Sequence, residues 1–176
     1  MDMLRGERVL LRAMARDDLA VLYRLHEDVD TAVLTEVDPW VPETLEQRLS
    51  RYDDRSPDPA NVRFTVVSLA DGQVLGSCIV WGIDSFNRNA HLGISLLPQA
   101  RGRGHGLDAL RVMCDYAFRI RGLHRLGLET LATNTAMITT AEKAGFRREG
   151  VRRDHAWVMG SFVDELLFGL LAAEFS

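Results

Sequence analysis

The chain has 176 residues, 47% of them hydrophobic and 26% charged, enough apolar surface for one substantial core. Its 21 basic and 25 acidic residues leave a formal net charge of -4, which excludes the global basic field that drives nucleic-acid binding. No apolar run reaches the length of a bilayer span, and Met1-Asp2-Met3-Leu4-Arg5 lacks an apolar signal core. The expectation is therefore a single cytoplasmic domain over residues 1–176, with neither nucleic acid nor membrane as partner. Cys78 and Cys114 lie in apolar surroundings without metal-ligand spacing and read as buried free thiols, and no metal is expected.

Residues 8–12 alternate charged and apolar side chains and read as a first strand. Asp17 or Asp18 is placed to cap a helix carrying Leu19, Leu22, Tyr23, Leu25 and His26 at helical spacing. After the breakers Pro39 and Pro42 a second helix is expected over 43–52. Between the two helices an irregular stretch, residues 35–41, holds Trp40. Pro57 and Pro59 mark a loop. Strands over 64–69 and 74–83 flank the Asp71-Gly72 pair as a hairpin, and 90–97 adds a third antiparallel strand.

The stretch Leu96 to Leu107 comes next: an apolar run ends at Pro98, Gly102, Gly104 and Gly106 alternate with Arg103 and His105, and an apolar helical pattern begins. Alternate glycines leave backbone amides uncovered. The following helix aims its unpaired first-turn N–H groups into the same space, and Arg101 and Arg103 add positive charge, which together suit a diphosphate. No Lys-Ser/Thr follows the last glycine, as a P-loop requires, and the spacing is not GxGxxG. Helix then runs from Leu107 towards Gly122, a strand over 123–133, and a helix opened by Asn134 and closed by Gly145. A hairpin over 151–158 and 162–171 turns at Met159-Gly160. Asp164 has Arg148 and Arg152 as possible structural partners.

Arg101-x-x-Gly104-x-Gly106 between strand four and the next helix resembles the acyl-CoA loop of the GNAT superfamily of N-acetyltransferases. The order of elements, the phrase Leu4-Arg5-Gly6-Glu7-Arg8, the pair Pro39-Trp40 and the run Asn134 to Gly150, with Glu142-Lys143-Ala144-Gly145-Phe146 inside it, resemble more narrowly the RimJ/RimL-like ribosomal-protein N-terminal acetyltransferases. The resemblance implies an α+β fold, a mixed sheet of about seven strands splayed between strands four and five and flanked by helices. It implies acetyl-CoA as acyl donor, with Ile94, Ser95, Leu96 and Leu97 along the pantetheine. Arg101, Gly102, Arg103, Gly104, His105, Gly106 and Leu107 would surround the diphosphate. Asn134 would stand at the end of strand five, and Lys143 is placed with the donor-binding residues.

The acceptor implied is a primary amine, either a peptide N-terminus or a small amine, reached by direct attack in a ternary complex; Trp40 and Trp81 are candidates for its pocket. A homodimer is the family expectation. Two positions depart from the subfamily. His91 stands where a strand-four Glu is usual, and imidazole, with a reference pKa near 6.5, is a competent base. Met137 stands where a Ser would protonate the departing thiolate. These departures motivate a second reading, a degenerate acyl-CoA-binding sensor that transfers nothing.

Overall fold

The computed structural model describes residues 3–35 and 39–175. One sheet holds β1 (Val9–Ala13), β2 (Val62–Ser68), β3 (Val74–Asp84), β4 (Asn89–Leu96), β5 (Arg125–Leu131), β6 (Arg147–Val158) and β7 (Ser161–Leu171) in the order β1-β2-β3-β4-β5-β7-β6. All neighbours are antiparallel except β4 and β5, which run parallel. The α-helices among the described residues are α1 (Asp18–Glu27), α2 (Val29–Thr35), α3 (Leu45–Asp53), α4 (His105–Asp115) and α5 (Thr135–Lys143). None is long and apolar enough to cross a membrane. The expected seven-stranded mixed sheet flanked by helices is what forms, and Cys78 and Cys114 are buried free thiols.

Alternation along the strands sorts side chains onto two faces. Val9, Leu11, Phe64, Val66, Cys78, Val80, Leu126, Leu128, Leu166, Phe168 and Leu170 form the main core with Leu110, Met113 and Cys114 of α4 and Ala141 of α5. The intervening residues therefore turn to the other face, where α1 packs: Arg12, Thr65, Trp81, His91, Gly127, Glu129 and Glu165. Asp18 ties α1 to this second face. Its carboxylate accepts two hydrogen bonds from Arg12, both 2.7 Å, one from the Ala15 N–H at 2.8 Å and one from Thr65 Oγ1 at 2.7 Å. Neither aspartate caps α1 with its side chain: Asp17 occupies the cap position without a side-chain bond, and Asp18 is drawn inward by Arg12.

Two further differences have local causes. The helix α2 interrupts the region read as irregular; four of its seven residues, VDTAVLT, are β-branched, so periodicity gives no signal. Residues 36–38 of that expected stretch lie outside the described residues. The second expected helix begins at Leu45, two residues late, because Thr44 and Gln47 form a capping box. Asp164 pairs with neither Arg148 nor Arg152: its Oδ1 accepts from the Asp154 N–H at 2.9 Å, and Arg152 donates to Glu165 at 2.7 Å.

The sheet is continuous only at one end of its centre. β4 and β5 pair at Asn89–Arg125, Ala90–Leu126 and His91–Gly127, and there the ladder stops. Beyond it β4 stays with β3 as far as Leu96, and β5 stays with β7 as far as Leu131. Two twisted half-sheets thus diverge from a vertex at His91 and Gly127.

Candidate functional site

At the open end of the splay, β4 delivers the chain into the glycine loop. Gly102 and Gly104 have φ of 71° and 81°, the left-handed region that glycine enters without steric cost. Gly104 is the residue before α4, so the amides of His105, Gly106 and Leu107 have no carbonyl one turn back to bond. Asp108 in the first turn does not face this space. Its carboxylate accepts from the backbone N–H groups of Glu7, Arg8 and Val9 at 3.1, 2.7 and 2.9 Å. That grip lays Arg8 over the loop: a Cβ on Gly104 would stand 3.4 Å from Arg8 Nε. Gly6 belongs to the same device, since a Cβ there would collide with Asp108.

The two other cations of the stretch behave differently. Arg101 Nε donates to the Leu96 carbonyl at 2.9 Å, and its Nη2 to Thr31 Oγ1 of α2 at 3.1 Å. Its guanidinium braces β4 against α2 and does not point at the first-turn amides. Arg103 is exposed. His105 Nδ1 lies 3.0 Å from the Ala100 carbonyl, which folds the ring back on the loop.

Between the diverging strands lies a cavity of about 450 Å³. Leu92, Gly93 and Ile94 of β4 and Leu128 to Leu131 of β5 line it, together with Asn134, Met137, Val33, Pro39, Trp40, Trp157 and Met159. Trp40 is fixed by donating to the His26 carbonyl at 3.0 Å and by stacking on the His26 ring, 5.4 Å between centroids. Trp157 packs edge-on against Phe162. Asn134 Oδ1 accepts from the Met137 N–H at 3.1 Å, the helix-cap bond expected of it.

Among the described lining residues the charged side chains are Glu129 and Glu165 alone. Glu165 is buried and held by Arg152, with His155 Nε2 at 3.5 Å. Glu129 Oε1 stands 2.8 Å from His91 Nδ1, close but without the alignment of a straight hydrogen bond. A second depression of about 270 Å³, lined by His91, Gly127, Arg125, Glu149 and Arg152 among others, shares Glu129 with the first.

Residues 8–147 match the family described as Acetyltransferase (GNAT) domain. The chain belongs to the GNAT acetyltransferase family. Over its whole length it is 27% identical to an uncharacterized N-acetyltransferase of Bacillus licheniformis, covering 99% of that protein. With the spermidine N(1)-acetyltransferase of Vibrio cholerae it shares 25% identity over 90% of each chain. The crystal structure of spermidine N-acetyltransferase from Vibrio cholerae in complex with CoA and spermine has the same fold, with a TM-score of 0.86 at 23% identity over 94% of this chain and 96% of that one. These matches carry the family and not the narrower RimJ/RimL subgroup.

The chain is thus an acetyl-CoA-dependent N-acetyltransferase of GNAT type. In that frame the sequence-derived residues separate. Ile94, Asn134 and Trp40 line the splay. Ser95 and Leu96 continue the same strand beyond the last β5 pair, whereas the Leu97 N–H is already committed to the Leu75 carbonyl at 2.8 Å. Trp81 is not on the cleft wall; it lies under the His91 ring, 4.6 Å between centroids and 27° from parallel. His91 lines the second depression and meets the main cleft only through Glu129. Lys143 is exposed at the far end of α5, its carbonyl accepting from Arg111 at 3.3 Å. Sequence reasoning missed Arg8, Glu129 and Glu165. The signal for Glu129 was a single carboxylate inside the apolar run Leu126-Gly127-Leu128-Glu129-Thr130-Leu131.

Proposed function

We propose that this GNAT enzyme acetylates a primary amine of a small aliphatic cation of the polyamine class. One observation carries the reading: the described wall of the splay is apolar and aromatic, and its charged side chains are both carboxylates. The sequence around Trp40 has the same sign, with seven acidic residues and no Lys or Arg from Leu25 to Gln47. A cation is drawn towards such a cleft, and its methylenes match the apolar walls and the faces of Trp40 and Trp157. The spermidine acetyltransferases among the relatives support the same acceptor class.

In this reading acetyl-CoA lies with its pantetheine along Ile94, Ser95 and Leu96 and its diphosphate on the amides of residues 102–107, with Arg8 and Arg103 beside it. When bound it supplies an activated thioester. Asn134 stands at the end of β5 beside the pantetheine, and His91 assists proton removal from the α1 face through Glu129. Residues 1–176 act as one catalytic domain.

The test is thiol release from acetyl-CoA with spermidine, spermine, N-terminal peptides and aminoglycosides as acceptors. The reading predicts that kcat/KM for a polyamine exceeds that for every peptide by roughly tenfold or more, a difference of about 1.4 kcal/mol, and falls as salt is raised. Preferred turnover of a peptide N-terminus would overturn it in favour of the ribosomal-protein class.

A further inference from the structure

We propose that Glu129 is the group that meets the acceptor ammonium and takes its proton, with His91 behind it as a positioning residue. This rests on the amine-acetylating reading above. Glu129 lies on the cleft wall itself, whereas His91 does not, so only the carboxylate reaches an amine held in the splay.

Three features build the pair. His91 and Gly127 are the last partners of the parallel ladder, and Glu129, two residues on, shares the face of Gly127. A Cβ on Gly127 would lie 2.8 Å from His91 Nδ1, so the bare glycine is what lets the ring reach across β5 to Glu129. Trp81, opposite His91 on β3, stacks on the ring and fixes its plane. The neighbouring charges leave the pair alone: Arg125 is bound to Glu149, Arg152 donates to Glu165, and His155 also faces Glu165. Among the described residues of α2 and the segment after it the cleft is lined by Val33, Pro39 and Trp40, none titratable.

The acceptor arrives as R–NH3+. Its N–H donates to a Glu129 oxygen, and one proton passes to that carboxylate, whose Oε1 has His91 Nδ1 2.8 Å away. The amine nitrogen then attacks the thioester carbonyl: a C–N bond forms, the C–S bond breaks, the second proton leaves the nitrogen, and the departing thiolate takes up one proton. Net, R–NH3+ and acetyl-CoA give the acetamide, CoA thiol and one proton released to water.

The experiment compares wild type, Glu129→Gln, His91→Gln and Gly127→Ala in steady-state acetyl transfer to spermidine across pH, with CoA affinity and far-UV circular dichroism measured on each. Glu129→Gln is expected to lower kcat roughly 100-fold and to raise KM for the amine, at unchanged CoA affinity. His91→Gln is expected to lower kcat roughly tenfold at nearly constant KM, and to shift the acid limb of the rate profile. Gly127→Ala should resemble His91→Gln. Glu129→Gln with wild-type kcat, or His91→Gln with an unaltered acid limb, would overturn the proposal. Wild type that turns over peptides but no polyamine would defeat the acceptor class instead, and the same variants assayed on the peptide would still decide the role of Glu129.

Discussion

Removing the Asp108 carboxylate should destabilise the enzyme by about 3 kcal/mol. Its two oxygens satisfy three backbone donors, those of Glu7, Arg8 and Val9. Val9 is fully buried, and leaving its N–H bare costs about 2 kcal/mol; the two exposed donors recover water and lose about 0.5 kcal/mol each. For a domain of this size that corresponds to a fall of roughly 6–12 °C in Tm. Asp108→Asn keeps one acceptor oxygen and should lose about half as much. Gly6→Ala should be damaging on its own, because its Cβ would occupy the position of the carboxylate. In the Asp108→Ala background that carboxylate is gone, so the Gly6→Ala cost should largely vanish. Thermal and urea unfolding of the two single variants and the double variant measure this coupling. A drop below 2 °C for Asp108→Ala, or fully additive losses in the double variant, would refute the reasoning.

Arg8→Gln should raise KM for acetyl-CoA roughly fivefold with little change in kcat, the effect of about 1 kcal/mol from an exposed cation facing phosphate; an unchanged KM in steady-state kinetics would remove Arg8 from the donor site. Hydrogen bonds from Arg12, then from Ala15 and Thr65, hold the Asp18 carboxyl down at about 2, against an ordinary 3.8. A depressed carboxyl stabilises the folded state above its unfolded pKa, so about 2 kcal/mol is present above pH 4 and is lost as pH falls from 4 towards 2. Urea unfolding of wild type and Asp18→Asn should converge over that window, and parallel profiles would contradict the assignment. Burial pushes both the Cys78 and Cys114 thiols far up. Native protein should therefore react with a thiol reagent only at its unfolding rate, and a rapid stoichiometric reaction would count against it.

The parts legible in sequence were those written in local chemistry. Asp71-Gly72 marks the β2–β3 hairpin, the alternating glycines mark the start of α4, and Asn134 caps α5 as its side chain dictates. What escaped depends on strands brought together from distant positions. Nothing near His91 says that Gly127 will face it, or that Glu129 will then lie within reach. The phrase Leu4-Arg5-Gly6-Glu7-Arg8 could be matched to a family without its reason; the reason is a carboxylate, Asp108, a hundred residues away in sequence. Arg101 misleads for the converse cause, since its charge suggested phosphate while α2, a helix the periodicity did not show, offered Thr31 as a partner.

The most direct test of the central claim is the affinity of a conjugate in which the sulfur of CoA is joined through an acetyl bridge to spermidine. If donor and acceptor lie together in the splay, the conjugate binds roughly tenfold or more tighter than CoA, and that advantage shrinks as salt is raised. Equal affinity of the conjugate and of CoA for the wild-type enzyme would contradict the account.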